Sequence, residues 1–162
     1  MSRWIKLFFV WASMSFGVVG ALEPQPGYTG KELCAFTRTV LDHMKNTEDL
    51  HKVLAGLEKT ASAGMQPIIA DLIVVLQQKG MDAFVSDLGR RVKMGAENEE
   101  VGRKDLVEVT QPLDEKFGAV NCHRGMMQAR ADKNYFEALY YYLKIAEKRC
   151  PSQESEPLCS AK

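Results

Sequence analysis

An almost continuously apolar stretch, residues 65–80 (MQPIIADLIVVLQQKG), limits the possible folds of this chain more than any other segment. Periodicity alone does not separate a buried strand from a buried helix in such a run. Two residues favour a helix. Pro67 suits a first helical turn, where its missing N–H costs nothing, and Gly80 suits a left-handed C-terminal cap. The pattern therefore predicts a helix over about 66–79.

The polar residues of this predicted helix are few. On a helical wheel Asp71 and Gln78 form one narrow polar stripe, and a helix that is apolar nearly all round is typically buried. We therefore predict that the helix over about 66–79 is the central, buried helix of a small bundle, with Ile73 at the centre of the core.

The first 21 residues have the pattern of a secretory signal peptide. Arg3 and Lys6 form a basic start, an uncharged apolar run covers 7–19, and small residues precede a cleavage position after Ala21. The alternative is an uncleaved signal anchor, although the apolar run is short for a membrane span. Cleavage would leave 141 of the 162 residues, which suits one helical domain over 22–150.

The charge balance of the mature chain is close to neutral. Cleavage removes two of 21 basic residues and none of 21 acidic ones, which leaves a net charge of −2. This composition does not favour nucleic acid or an anionic membrane as a partner. The mature sequence also holds no apolar run of the length that a transmembrane helix needs. We therefore expect a secreted, extracellular protein.

Four cysteines remain after cleavage: Cys34, Cys122, Cys150 and Cys159. In an oxidising compartment an even number predicts two disulfides, and four cysteines allow three pairings. An antiparallel first and last helix would favour Cys34–Cys150 and Cys122–Cys159. The second bridge would tether the polar C-terminal tail, 151–162.

The remaining helices are predicted from amphipathic spacing and end signals. The sequence from Thr29 to Glu32 has the capping-box pattern and predicts the start of the first helix. After the central helix, another is expected to begin at Asp82, and the polar segment 95–105 is expected to be an exposed loop.

Two further helices are predicted towards the C-terminus. Thr110 or Gln111 would cap the first of them, with Pro112 in its first turn. Asp132 would cap the last helix, over 133–149. The sequence thus predicts an all-α bundle of five or six helices, stapled by disulfides.

Signatures of catalysis are missing from the sequence, which contains no Gly-x-Ser-x-Gly, His-Glu-x-x-His or phosphate-binding glycine loop. Cys122 and His123 are adjacent, but sequence adjacency does not give the geometry of a nucleophile and base. A buried Asp71 could have a raised pKa and act as an acid. The alternative is that Asp71 lies with Gln78 on a solvated edge. We expect no enzyme, cofactor or metal.

Two functions agree with these observations. The last helix carries its core face at Phe136, Leu139, Tyr140 and Leu143, and it has further apolar side chains outside that face. Either another layer of the fold covers them, such as the C-terminal tail, or they form an exposed protein-binding patch, which is our leading hypothesis. The residues of this predicted patch are Tyr141, Tyr142 and Ile145.

The leading function is therefore a non-catalytic protein that binds another extracellular protein, as an inhibitor, modulator or cytokine-like signal. The alternative is an extracellular carrier of a small hydrophobic ligand, such as a lipid. Methionine is flexible and suits adaptable apolar sites, although it also fills gaps in ordinary cores. The mature chain has six methionines: Met44, Met65, Met81, Met94, Met126 and Met127.

Overall fold

The computed structural model describes residues 27–45, 49–117 and 121–147, and within these ranges it contains six helices and no strand. The predicted signal peptide (1–21), the tail (151–162), Cys150 and Cys159 lie outside the described residues. The prediction of an all-α fold is confirmed. The helices are α1 (Gly30–Lys45), α2 (Leu50–Thr60), α3 (Gln66–Glu97), α4 (Arg103–Phe117), α5 (Cys122–Ala131) and α6 (Tyr135–Ala146).

The start of α1 is the capping box that the sequence predicts. The Thr29 N–H donates to Glu32 Oε2 at 2.7 Å, and the Glu32 N–H donates to Thr29 Oγ1 at 3.2 Å. These reciprocal bonds satisfy two backbone donors that the helix itself leaves without partners.

Helix α3 joins the two helices that the sequence predicts separately. Gly80 interrupts it with φ 83° and ψ −175°, so a bend within one element replaces the predicted helix end at Gly80 and new start at Asp82. The central position predicted for 66–79 is not confirmed. Ile73 is only partly buried and Val74 is 46% exposed, because neighbouring helices cover one face of this half of α3.

Among the six helices described, α6 makes the most extensive contacts with the rest of the fold. It packs against α1, α3, α4 and α5. Leu139 and Leu143 are at most 1% exposed, and so is Tyr140. The second half of α3 faces it with fully buried Phe84, Val85, Leu88 and Val92.

Helix α4 begins earlier than predicted. It starts at Arg103, so that Pro112 lies in its interior rather than in a first turn. Proline has no N–H to donate to the carbonyl four residues before it, here that of Glu108. Arg38 of α1 supplies the missing donor, since its Nη2 lies 2.7 Å from the Glu108 carbonyl oxygen.

The junction of α5 and α6 also differs from the prediction. Asp132 ends α5 instead of capping α6, and the Asn134 side chain caps α6 by accepting the Glu137 N–H. Lys133 between them has φ 58°, and the Asn134 N–H donates to the Ala129 carbonyl at 2.8 Å. This is the hydrogen-bond pattern of a left-handed helix C-terminus.

The cysteine pairing predicted for Cys34 is wrong in this structure. Cys34 is a free thiol, 4% exposed, inside the core. Burial raises its pKa to about 12, so the thiol stays protonated and unreactive at neutral pH. Cys122 is disulfide-bonded, and its partner lies outside the described residues. The pairing Cys122–Cys159 stays a prediction.

Candidate functional site

A groove between α3, α5 and α6, which we call the basic groove, gathers cationic side chains from separate parts of the chain. Its volume is about 590 Å³. On α3, Ser86, Arg90 and Lys93 follow one another at intervals of four and three residues, so they share one helical face. The residues that line the basic groove are Val75, Lys79, Ala83, Ser86, Asp87, Arg90, Lys93, Arg130 and Tyr142.

Carboxylates hold two of the arginines of the basic groove in place. Asp82 accepts Arg130 Nε at 2.8 Å and Nη2 at 2.7 Å, a bidentate pair. Asp87 accepts Arg90 and, at 3.0 Å, Arg91 Nε. The hydrogen bond from Arg130 lowers the pKa of Asp82. Partial burial favours a higher pKa at Asp87, but hydrogen bonds from Arg90 and Arg91 outweigh it, so the net shift is downward.

Both aspartates are ionised at neutral pH, as ordinary aspartates are, and their lowered pKa values extend the ionised range further into acid. The arginines are therefore oriented before any ligand arrives. Lys79, by contrast, is exposed and makes no ion pair with a described residue. Its charge is available to a ligand.

Tyr142 forms the aromatic wall of the basic groove. Its hydroxyl lies 3.1 Å from Ser86 Oγ and donates to it. A Cβ atom added at Gly89 would lie 2.6 Å from Tyr142 Cγ, so only glycine lets α6 approach α3 this closely. Tyr142 stays partly exposed, so part of its side chain is accessible in the basic groove.

The structure does not contain the exposed patch predicted at Tyr141, Tyr142 and Ile145. Tyr141 is 2% exposed and packs against Gly125 of α5, where an added Cβ would lie 2.6 Å from its ring. Ile145 is partly buried against the cluster around Cys122 and Tyr141. A further layer of the fold, formed by α5 with the end of α4, therefore covers Tyr141 and Ile145. Of the three, Tyr142 alone lines the basic groove.

A network of polar side chains between α4 and α6 is structural. The Tyr140 hydroxyl donates to Asp114 Oδ1 at 2.6 Å, and Lys144 Nζ lies 3.2 Å from the same oxygen. Lys144 also lies 2.9 Å from Glu147 Oε2, while Thr110 donates to Glu147 Oε1 at 2.8 Å. Burial and the bond to Asp114 raise the pKa of Tyr140, so it remains a donor. The network joins α4 to α6.

The other residues that the sequence suggests for catalysis, Asp71, Cys122 and His123, do not line the basic groove. The Asp71 side chain is 69% exposed and 3.3 Å from Arg91, and Gln78 is exposed as well, so the solvated-edge interpretation of this stripe is correct. Cys122 is disulfide-bonded, which removes the thiolate that a nucleophile needs. Its neighbour His123 points to solvent.

A second groove, which we call the methionine groove, lies where α3 bends. It has a volume of about 490 Å³ and is open to solvent. Its floor is apolar and its rim is polar. The floor residues are Met44, Leu50, Leu76, Met81, Tyr135 and Phe136, and the rim residues are Asp49, His51, Lys133 and Asn134.

Sequence reasoning missed the contribution of Arg130 to the basic groove. Arg130 and Asp82 are 48 residues apart, and nothing in local spacing connects them. Arg90, Arg91 and Lys93 are close together in the sequence, but a basic cluster near the end of a helix is ordinarily solvated, so their spacing alone does not indicate a groove. In the part of the chain that the structure describes, no three His, Cys, Asp or Glu side chains are grouped as metal ligands. None of the helices described is long and apolar enough to cross a membrane.

Comparisons with known proteins give no family for this chain. No family model matches it, and neither the curated proteins nor the solved structures provide a match.

Proposed function

We propose that this protein is a secreted, non-catalytic protein that binds another extracellular protein, and that the basic groove receives an acidic segment of this partner. The convergence of Lys79, Arg90, Lys93 and Arg130 from two helices around Tyr142 carries the proposal. Tyrosine and arginine are enriched in interfaces and at the positions that contribute most to binding.

The mixed lining of the basic groove supports a protein rather than a dense polyanion as the ligand. Asp87 lies among the cations, and Val75 and Ala83 add apolar surface. A uniformly charged polymer would meet the carboxylates of Asp82 and Asp87 as well as the basic side chains. A peptide segment can place single carboxylates at the cations and apolar side chains at the aliphatic surface. Such charge complementarity gives specificity and fast association.

Secretion rests on the signal-peptide pattern of residues 1–21. N-terminal sequencing of the secreted protein tests it, with Leu22 as the expected first residue. A secreted chain that keeps Arg3 and Lys6 would contradict cleavage.

Charge reversal tests the proposed surface. Lys79→Glu with Lys93→Glu reverses two cations of the basic groove that belong to none of the arginine–aspartate pairs, and it also breaks the ion pair of Lys93 with Glu97 at 3.8 Å. Lys52→Glu with Lys59→Glu makes the same charge change on exposed positions of α2 that line neither groove. Each protein is immobilised and exposed to fluid from its native secretion, and the recovered proteins are quantified.

We expect a partner that binds the wild type and the α2 variant, is lost with the groove variant, and dissociates as salt concentration rises. Equal recovery by both variants would contradict the assignment of the basic groove.

The second function, a carrier of a small hydrophobic ligand, has support from the methionine groove. Met44 and Met81 line it together with apolar and aromatic side chains. The groove is open rather than enclosed, so the binding of a protein remains our leading proposal.

A further inference from the structure

The methionine groove combines an apolar floor with a cation at its edge. Met44 comes from the end of α1, and Leu76 and Met81 lie on either side of the bend at Gly80. Phe136 of α6 completes the floor. Its volume of about 490 Å³ falls within the roughly 300–1,000 Å³ typical of small-molecule sites. Flexible methionine side chains adapt to unbranched apolar chains.

The rim of the methionine groove carries one acidic residue, Asp49, and one basic residue, Lys133. The Asp49 carboxylate accepts the His51 N–H at 3.1 Å at the start of α2 and keeps its negative charge there. Lys133 is exposed and makes no ion pair with a described residue. The left-handed turn between α5 and α6, with φ 58°, places its backbone at the rim. The first turn of α6 also borders the rim and adds partial positive charge, whereas the Asp49 carboxylate offsets that of the α2 start.

We infer that the methionine groove binds a single-chain amphiphile with an anionic head group, such as a fatty-acid carboxylate. The alkyl chain lies on Met44, Leu76, Met81 and Phe136, and the head group lies at Lys133. This site is separate from the basic groove, so the inference does not depend on the proposed protein partner.

Methionine methyl groups provide a direct readout. The mature chain is labelled with [¹³C]methyl-methionine and titrated with dodecanoate, below its micelle concentration. Met44 and Met81 report from the groove. Met94 and Met127, which are 52% and 60% exposed outside it, report non-specific adsorption. Dodecanol and dodecyltrimethylammonium, which have the same alkyl chain, test the choice of head group.

We expect saturable shifts at Met44 and Met81, little change at Met94 and Met127, and tighter binding of dodecanoate than of the other two amphiphiles. Lys133→Asn removes the charge and suits positive φ. It should weaken dodecanoate about two- to fivefold, as loss of one exposed ion pair implies, and leave dodecanol unchanged. Met81→Gln, with Met44→Gln as a second variant if the first does not fold, should weaken both ligands.

Three results would overturn the inference. Dodecanoate could leave the methyl signals of Met44 and Met81 unchanged. The exposed Met94 and Met127 could respond over the same concentration range as the groove methionines. Dodecyltrimethylammonium could bind as tightly as dodecanoate, which would remove the role of Lys133.

Discussion

Among single residues, Pro112 shows how a local rule is overridden by a distant partner. Proline near a Thr or Gln cap normally indicates the start of a helix, but here it lies in the middle of α4. Arg38, 70 residues earlier, donates to the Glu108 carbonyl that Pro112 leaves without its usual partner. No local sequence signal connects these residues, whereas the Thr29–Glu32 cap is local and was predicted correctly.

This contact leads to a double-mutant test. Arg38→Met keeps most of the aliphatic stem and removes the donor, so it should lower the free energy of unfolding by about 0.5–1.5 kcal/mol. In the Pro112→Ala background a backbone N–H becomes available to the Glu108 carbonyl, and Arg38→Met should then cost clearly less. Urea denaturation of the four proteins measures the difference. An equal cost in both backgrounds would show that Arg38 does not replace the missing proline donor.

At the scale of helices, the sequence predicts their existence well and their position in the fold poorly. Gly80 correctly indicates an interruption near residue 80, because that signal lies in the backbone preference of one residue. The apolar stretch 65–80 does not reveal that its neighbours cover one face only, with Asp71 and Val74 left exposed. Burial of a helix depends on what packs around it, and local periodicity does not contain that information.

Two glycines with equal space around them test the bend in α3. A Cβ atom would meet nothing within 4 Å at either Gly80 or Gly56 of α2, but Gly80 alone has positive φ. Gly80→Ala should cost about 1–3 kcal/mol, because its φ and ψ suit glycine almost exclusively. Gly56→Ala should stabilise by about 0.5–1 kcal/mol, since alanine is the better helix former. Similar denaturation midpoints for the two variants would contradict a strained bend.

At the scale of the whole molecule, α6 rather than the first half of α3 organises the fold. Leu139 is fully buried where α6 meets its neighbours, whereas Ile73 is only partly buried. Leu139→Ala should therefore cost about 2–5 kcal/mol in cavity and transfer terms, and Ile73→Ala should cost less. Chemical denaturation compares them directly. A larger loss from Ile73→Ala would restore the central role that the sequence suggests for 66–79.

The candidate site follows from this arrangement and was only partly predictable. Tyr141, Tyr142 and Ile145 were assigned to one exposed surface, because the sequence does not show that α5 packs over Tyr141 while Tyr142 lies on the other side, in the basic groove. The basic groove exists because α6 brings α3 and α5 together, which places Arg130 beside Arg90 and Lys79. Contacts between residues this far apart arise only from the tertiary fold.

The most direct test of the proposed function is to map where the partner touches the protein. A photo-crosslinking amino acid replaces Lys79 in the basic groove or, as the control, Lys52 on α2. Each protein is irradiated in its native secretion fluid, and the crosslinked peptides are identified by mass spectrometry. We predict crosslinks from position 79 to a segment of one extracellular protein that is rich in Asp and Glu, with none from position 52. Crosslinks to the same partner from position 52 alone, or from position 79 to segments without acidic residues, would contradict the account.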